Sequence, residues 1–140
     1  MIKLFLDTNV LADIFFDRMP HSNHSLTLLT LASDRSWQLS TSALTIANLL
    51  YLLRKQSKSK QQECIEIVTK YVQVLDLNLE QIKQGITLNH EDTEDGIQMA
   101  VATATNQELI LTRDLKGFLN CSIPVKTVAE FLNEYLTKDQ

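Results

Sequence analysis

Four aspartates stand where chemistry is easiest to build. Asp7 closes the apolar run Ile2–Leu6, and Asp114 ends the Thr112-Arg113-Asp114 segment that follows Leu109–Leu111. Asp92 and Asp95 lie at the end of the polar loop His90–Asp95, where a helical stretch begins. Functional groups of open α/β sheets collect outside the carboxyl ends of the strands, so carboxylates from separate parts of a chain can meet at one edge. Crowded carboxylates raise one another's pKa. A hard divalent cation such as Mg²⁺ or Mn²⁺ reverses that penalty, because it takes oxygen ligands and retains several waters. Such an ion activates water and neutralises charge developing on a phosphodiester. Metal-dependent phosphodiester hydrolysis is the chemistry these residues suggest. Each also has a plainer role open to it: Asp7, Asp114, Asp92 and Asp95 are all good helix caps, and Glu94 suits the positive end of a helix dipole.

The elements needed to position these groups follow from local pattern. Ile2–Leu6 reads as a buried strand, and Asp7-Thr8-Asn9 as the cap of a helix over Val10–Phe16. Pro20 to Asn23 opens a second helix through about Ser33, and Trp37–Ser40 reads as a strand. Ser42 begins a helix to about Lys55, with Leu44, Ile46, Ala47, Leu50, Tyr51 and Leu53 forming a broad apolar surface. A helix over Gln61–Tyr71, a strand at Val72–Leu75 and a helix near Leu79–Leu88 come next. The acidic loop feeds a helix over Thr93–Asn106, where Ala100, Ala102 and Ala104 favour close packing on a sheet. A strand at Leu109–Leu111, a short one near Val125 and a helix over Val128–Leu136 complete the pattern. Strands alternating with helices imply right-handed crossovers and a central parallel sheet, hence a three-layer α/β/α sandwich. Phe15, Phe16, Leu26, Leu29, Leu50 and Leu53 are read as core, with some available to a partner.

Composition bounds the answer loosely. A chain of 140 residues with 44% hydrophobic and 21% charged residues fits one soluble domain over 1–140. No apolar stretch approaches the roughly 18 residues of a spanning helix, so no membrane role is expected. The opening Met1–Asp7 lacks the features of a signal peptide, and Cys64 and Cys121 match no zinc or CxxC spacing. A cytoplasmic location is therefore expected. The net charge of −4 argues against broad coating by nucleic acid but leaves a local groove open.

Four segments resemble the motifs of PIN-domain nucleases. They are Asp7-Thr-Asn-Val-Leu-Ala-Asp13, Ser42-Ala-Leu-Thr-Ile-Ala-Asn-Leu-Leu-Tyr51, Asp92-Thr-Glu-Asp-Gly-Ile-Gln-Met-Ala100 and Leu111-Thr-Arg-Asp114. Phe118 and Ile123-Pro-Val125, leading into the closing helix, also fit, so the resemblance spans nearly the whole chain in order. It implies a Rossmann-like sandwich with a Mg²⁺- or Mn²⁺-dependent ribonuclease site, similar to VapC-like toxins of type II toxin–antitoxin pairs. It further implies a homodimer inhibited by a small antitoxin. Asp7, Asp95 and Asp114 would be the metal-site acids, with Asp92 as an additional ligand or a supporting group. Thr8, Asn9 and Thr112 would orient carboxylates and waters. Water would attack in line and leave a 5′-phosphate.

One position departs from that pattern. The second motif usually carries Glu where this chain has Asn48, which keeps a carbonyl oxygen for metal or water but loses the charge. The alternative reading is therefore a catalytically weakened or inactive PIN scaffold that binds RNA or a protein partner. A phosphoryl-transfer or receiver domain with Asp7 as acceptor fits less well, because position 9 is Asn and no GxxxxGK loop is present. Lys55 lies seven residues past Asn48, nearly on the same helical face and ~10.5 Å further along. With Arg54, Lys58 and Lys60 it would guide an RNA backbone, or simply favour the helix C-terminus. Arg113 would contact a phosphate or pair with a carboxylate. His21, His24 and His90 are expected to be surface residues.

Overall fold

The computed structural model describes residues 1–138. The elements run β1 (Ile2–Leu6), α1 (Thr8–Phe15), α2 (His21–Arg35), β2 (Trp37–Ser42), α3 (Ala43–Leu52), α4 (Lys58–Tyr71) and β3 (Gln73–Leu75). They continue with α5 (Leu79–Leu88), α6 (Thr93–Ala104), β4 (Leu109–Leu111), a 3₁₀ turn (Leu115–Phe118), β5 (Val125–Lys126) and α7 (Val128–Lys138). All strands pair in parallel, in the order β3-β2-β1-β4-β5. The chain starts at the centre, builds outward through β2 and β3, then returns to the other side of β1. The order thus reverses between β1 and β4, which opens a crevice at their carboxyl ends. Leu6 pairs there with Leu111, and the Asp7 amide donates to the Leu111 carbonyl at 3.0 Å.

Side-chain alternation sends neighbouring strand residues to opposite faces. Leu4 and Leu6 of β1 and Leu109 and Leu111 of β4 join one core with α1, α2, α4 and α7. Phe5 and Ile110 join the other, against α6 and Phe118. Covering both faces explains why these strands are apolar without a polar side, and it makes the molecule a three-layer α/β/α sandwich. Trp37 of β2 meets Phe131 and Tyr135 edge-on at 4.9 and 4.8 Å, fastening α7 to the sheet.

Several boundaries differ from the sequence reading for local reasons. The first helix begins at Thr8 because Asp7 caps it directly. α4 starts at Lys58 because Ser57 accepts from the Lys60 amide. α3 stops at Leu52 and α6 at Ala104, short of the expected Lys55 and Asn106. Leu26 is 47% and Tyr51 64% exposed, so neither belongs to the core. Leu50, Phe15 and Phe16 are half-buried, and Ala47 and Ala104 face solvent. The 3₁₀ turn after Asp114 was not anticipated.

The layer that carries the acidic loop is set by two glycines. α5 and α6 cross at Gly85 and Gly96, where a Cβ on Gly96 would stand 2.0 Å from the Gly85 carbonyl oxygen. Alanine normally stabilises a helix over glycine by about 1 kcal/mol. Here the clash dominates, so Gly96→Ala is expected to lose on the order of 1–3 kcal/mol. Urea unfolding of the two proteins decides the sign; a gain in stability would mean the helices do not touch backbone to backbone.

Candidate active site

Asp7 sits at the end of β1 as the N-cap of α1, 6% exposed. Its Oδ1 accepts from the Thr8 amide at 2.8 Å and from Gln98 Nε2 at 3.4 Å. Its Oδ2 accepts from Thr112 Oγ1 at 2.8 Å and Asn9 Nδ2 at 3.4 Å. Thr8, Asn9 and Thr112 therefore all surround this carboxylate. Thr8 reaches it through its amide, while its hydroxyl faces Thr45 at 3.1 Å. Burial raises the Asp7 pKa, with the neighbouring Asp114 charge adding to the effect.

The other three acids come from two segments laid side by side. Asp92 caps α6 by accepting from the Asp95 amide at 3.2 Å. Asn89 shapes the preceding loop, accepting from the Glu91 and Asp92 amides and donating to the Gly117 carbonyl at 2.7 Å. Asp114 caps the 3₁₀ turn, accepting from the Gly117 amide at 3.3 Å. Each of Asp92, Asp95 and Asp114 offers an oxygen within 4.8 Å of the others. A Cβ at Gly117 would stand 1.9 Å from Asp95 Oδ2, so glycine there is what lets the two segments close on each other.

Asp95 is the electrostatic centre of the group. It is 7% exposed, and its Oδ2 is buried without a hydrogen-bond partner. Desolvation first, then the charges of Asp7, Asp92 and Asp114, push its pKa up to about 8. An orphaned carboxylate oxygen facing other carboxylates is a donor set that fits a hard divalent cation.

Asp7, Asp95 and Asp114 line one cleft of about 350 Å³ together with Thr8, Asn9 and Asn48. Asn48 is half-buried and donates through Nδ2 to Thr8 Oγ1 at 3.3 Å. Arg54 and Lys55 are exposed beyond the end of α3 and outside this cleft. The Arg54 guanidinium lies over the Tyr51 ring at 4.1 Å. Arg113 takes the carboxylate option open to it. It holds Asp13 through Nε at 2.7 Å and Nη2 at 2.9 Å, and its amide donates to Asn9 Oδ1.

Sequence reasoning passed over three participants. Gln98, 1% exposed, joins Asp7 to Ser42 and Thr45 and so ties α6 to β2 and α3. Its signal was a lone amide one turn after Asp95 on an otherwise apolar helix segment. Asp13, 1% exposed, anchors Arg113 from a hundred residues away. Arg18 lines the acid cleft and also reaches Asp13, at 3.5 Å.

With fold and site in place, comparison with known proteins gives the class. Residues 3–116 match the PIN domain family, and the chain belongs to it. Over 140 residues it is 29% identical to Ribonuclease VapC1 of Aquifex aeolicus (strain VF5), with 96% of each chain covered. Among solved structures it resembles VapBC2 from Rickettsia felis bound to a DNA fragment from its promoter. That match has a TM-score of 0.70 at 18% identity and covers 90% of this chain and 98% of that one. It also resembles Mycobacterium tuberculosis VapC20, a Sarcin-Ricin loop cleaving toxin, with TM-score 0.60 and 16% identity, covering 76% and 86%.

Two outcomes follow from this geometry. The folded, metal-free chain holds a proton on Asp95 up to about pH 8, whereas the unfolded chain releases it near ~3.9. Between those values the folded state binds more protons, so stability falls as pH rises through that window and is fullest below it. In EDTA, Asp95→Asn should therefore match wild type at about pH 4 and exceed it by at least about 1 kcal/mol above pH ~8. Parallel thermal melts would show no such divergence if Asp95 titrated normally.

Arg113→Met leaves buried Asp13 with only the long 3.5 Å contact to Arg18. Breaking a fully buried pair costs about 3–5 kcal/mol. The Arg113 side chain is 36% exposed, so about 2–3 kcal/mol is expected after screening. Adding Asp13→Asn should restore part of it; a denaturant series showing no loss in the single variant would free Arg113 for another role.

Proposed function

We propose that this chain is an endoribonuclease that hydrolyses RNA phosphodiester bonds with Mg²⁺ or Mn²⁺ and acts as the toxin of a toxin–antitoxin pair. The observation that carries the reading is the convergence of Asp92, Asp95 and Asp114 around the unpartnered Asp95 Oδ2. Membership of the PIN family supports it, as do the ribonuclease and toxin names of its relatives.

Asp95 and Asp114 would hold the ion, with Asp92 at the rim and Asp7 at the floor of the cleft. Two of the four contacts to Asp7 are long, at 3.4 Å, which leaves its oxygens acceptor capacity. A divalent cation bound there would acidify water and offset charge on the phosphodiester. Thr112, Asn9 and Gln98 keep the Asp7 carboxylate aimed into the cleft, so little reorganisation is needed when substrate arrives. Asn48 uses its amide nitrogen on Thr8, and no hydrogen bond among the described residues occupies its carbonyl oxygen. That oxygen suits it to orient a water that attacks in line and leaves a 5′-phosphate. Arg54 and Lys55 would meet the RNA backbone beyond the cleft, and Arg113 would act on its margin.

The same proposal covers an antitoxin as protein partner, a homodimer and a single domain over 1–140 in the cytoplasm. Among the described residues no helix is long and apolar enough to cross a membrane.

Cleavage of a labelled single-stranded RNA tests the reading. Wild type should cut with Mn²⁺ and not with EDTA. Asp95→Asn should lose more than about a hundredfold, since even supporting partners of metal ligands cost ~10–100-fold. Asn48→Glu should lower the Mn²⁺ concentration needed for half-maximal rate. Equal cutting by wild type and Asp95→Asn would remove Asp95 from the chemistry, and metal-independent cutting would remove the ion.

A further inference from the structure

A second cleft, of about 230 Å³, lies beside the Asp13–Arg113 pair and outside the acid cluster. It is bounded by α1, α2 and the start of α7. Three kinds of hydrogen-bond donor converge on it, and none is used within the described residues.

The first is the N-terminus of α7. Thr127 and Glu130 form a reciprocal cap: Thr127 Oγ1 accepts from the Glu130 amide at 3.1 Å, and the Glu130 carboxylate accepts from the Thr127 amide at 3.0 Å. This cap leaves the Val128 and Ala129 amides without intrahelical acceptors, and both residues line the cleft. The second is Ser25, which is 2% exposed and lines the cleft, and whose hydroxyl makes no hydrogen bond among the described residues. The third is the pair His21 and His24, one helical turn apart on α2. Both are half-buried against the cleft, and neither imidazole is hydrogen-bonded. Arg113 also lines the cleft, with its Nε and Nη2 already given to Asp13.

Asp13 and Arg113, the two charged residues that line the cleft, neutralise each other as an ion pair, so recognition there rests on the unused donors. Donors without acceptors, gathered at a helix N-terminus, define a place for an oxyanion. We propose that this cleft binds a phosphate group, through the α7 amides, the Ser25 hydroxyl and the His21 and His24 rings. The phosphate comes either from an RNA backbone or as a free anion. The proposal does not depend on the nuclease reading, because it concerns binding at residues outside the acid cluster.

The chain has three histidines, His21, His24 and His90, so imidazole NMR resonances give a direct readout with an internal reference. The full chain in EDTA, at fixed pH, is titrated with inorganic phosphate. His21 and His24 should shift together and saturate while His90 stays in place. Ser25→Ala and His24→Gln should each weaken the fitted affinity by roughly tenfold, the size of one charge-assisted hydrogen bond. His24→Gln replaces a half-buried residue and keeps the test open if Ser25→Ala disturbs α2.

A short single-stranded RNA in EDTA then separates the sources. Shifts of the same two resonances that excess phosphate reverses assign the site to backbone phosphate. Shifts with inorganic phosphate alone assign it to a free anion. If His21 and His24 do not move with either probe, or move in step with His90, or respond equally in both variants, the cleft is not a phosphate site. Because no cleavage is measured, that failure would leave the nuclease proposal standing, and loss of RNA cutting would not touch this one.

Discussion

Mutual repulsion among four clustered carboxylates, two of them buried and two exposed, is the constraint around which the rest of the molecule is arranged. Asp95 lies in a low-dielectric position with Asp7, Asp92 and Asp114 near it, and one of its oxygens has no partner. Left to themselves, these segments would separate, so other interactions must hold them. β1 and β4 bring Asp7 and the Asp114 loop together through parallel pairing. The Gly85–Gly96 crossing sets the height of α6, and Gly117 removes the atom that would push Asp114's turn off Asp95. All three glycines of the chain are thus spent on close approaches that serve this corner.

How much of this was legible in the sequence depends on the type of signal. The α/β order, the parallel sheet and the aspartates at strand ends follow from periodicity and local chemistry, because each is written in a few adjacent residues. The glycines were not readable in the same way. Within a helix pattern glycine registers as a propensity cost, and only the partner helix shows that it marks a contact. Gln98 drew no reading, since a single polar residue does not break an apolar helix pattern. Leu26 and Ala104 looked buried for the opposite reason: periodicity gives a face, while the extent of the neighbouring layer decides whether that face is covered.

The Asp13–Arg113 pair shows the same limit at long range. Nothing local links residue 13 to residue 113, and a basic side chain beside Asp114 is equally consistent with a phosphate contact. Burial decides between them: Asp13 is 1% exposed and must be paired to remain charged there. The bidentate fork of Arg113 meets that need. Its amide, held by Asn9, carries the constraint back to the first motif. One ion pair therefore fixes the direction of the loop that presents Asp114.

That choice has an electrostatic consequence for the acids. An arginine folded onto the carboxylates would favour their charged forms and occupy the oxygens that a metal ion needs. Asp13 draws both Arg113 and Arg18 to itself instead. No Lys or Arg is ion-paired with Asp7, Asp92, Asp95 or Asp114 among the described residues. The raised pKa of Asp95 is the direct result, since neither solvent nor an internal cation compensates it. Asn48 limits the same imbalance from across the cleft: a carboxylate there would add another like charge, whereas an amide contributes an oxygen without one. The site is thus built with unbalanced negative charge, and the two arginines that could have cancelled it are held by Asp13.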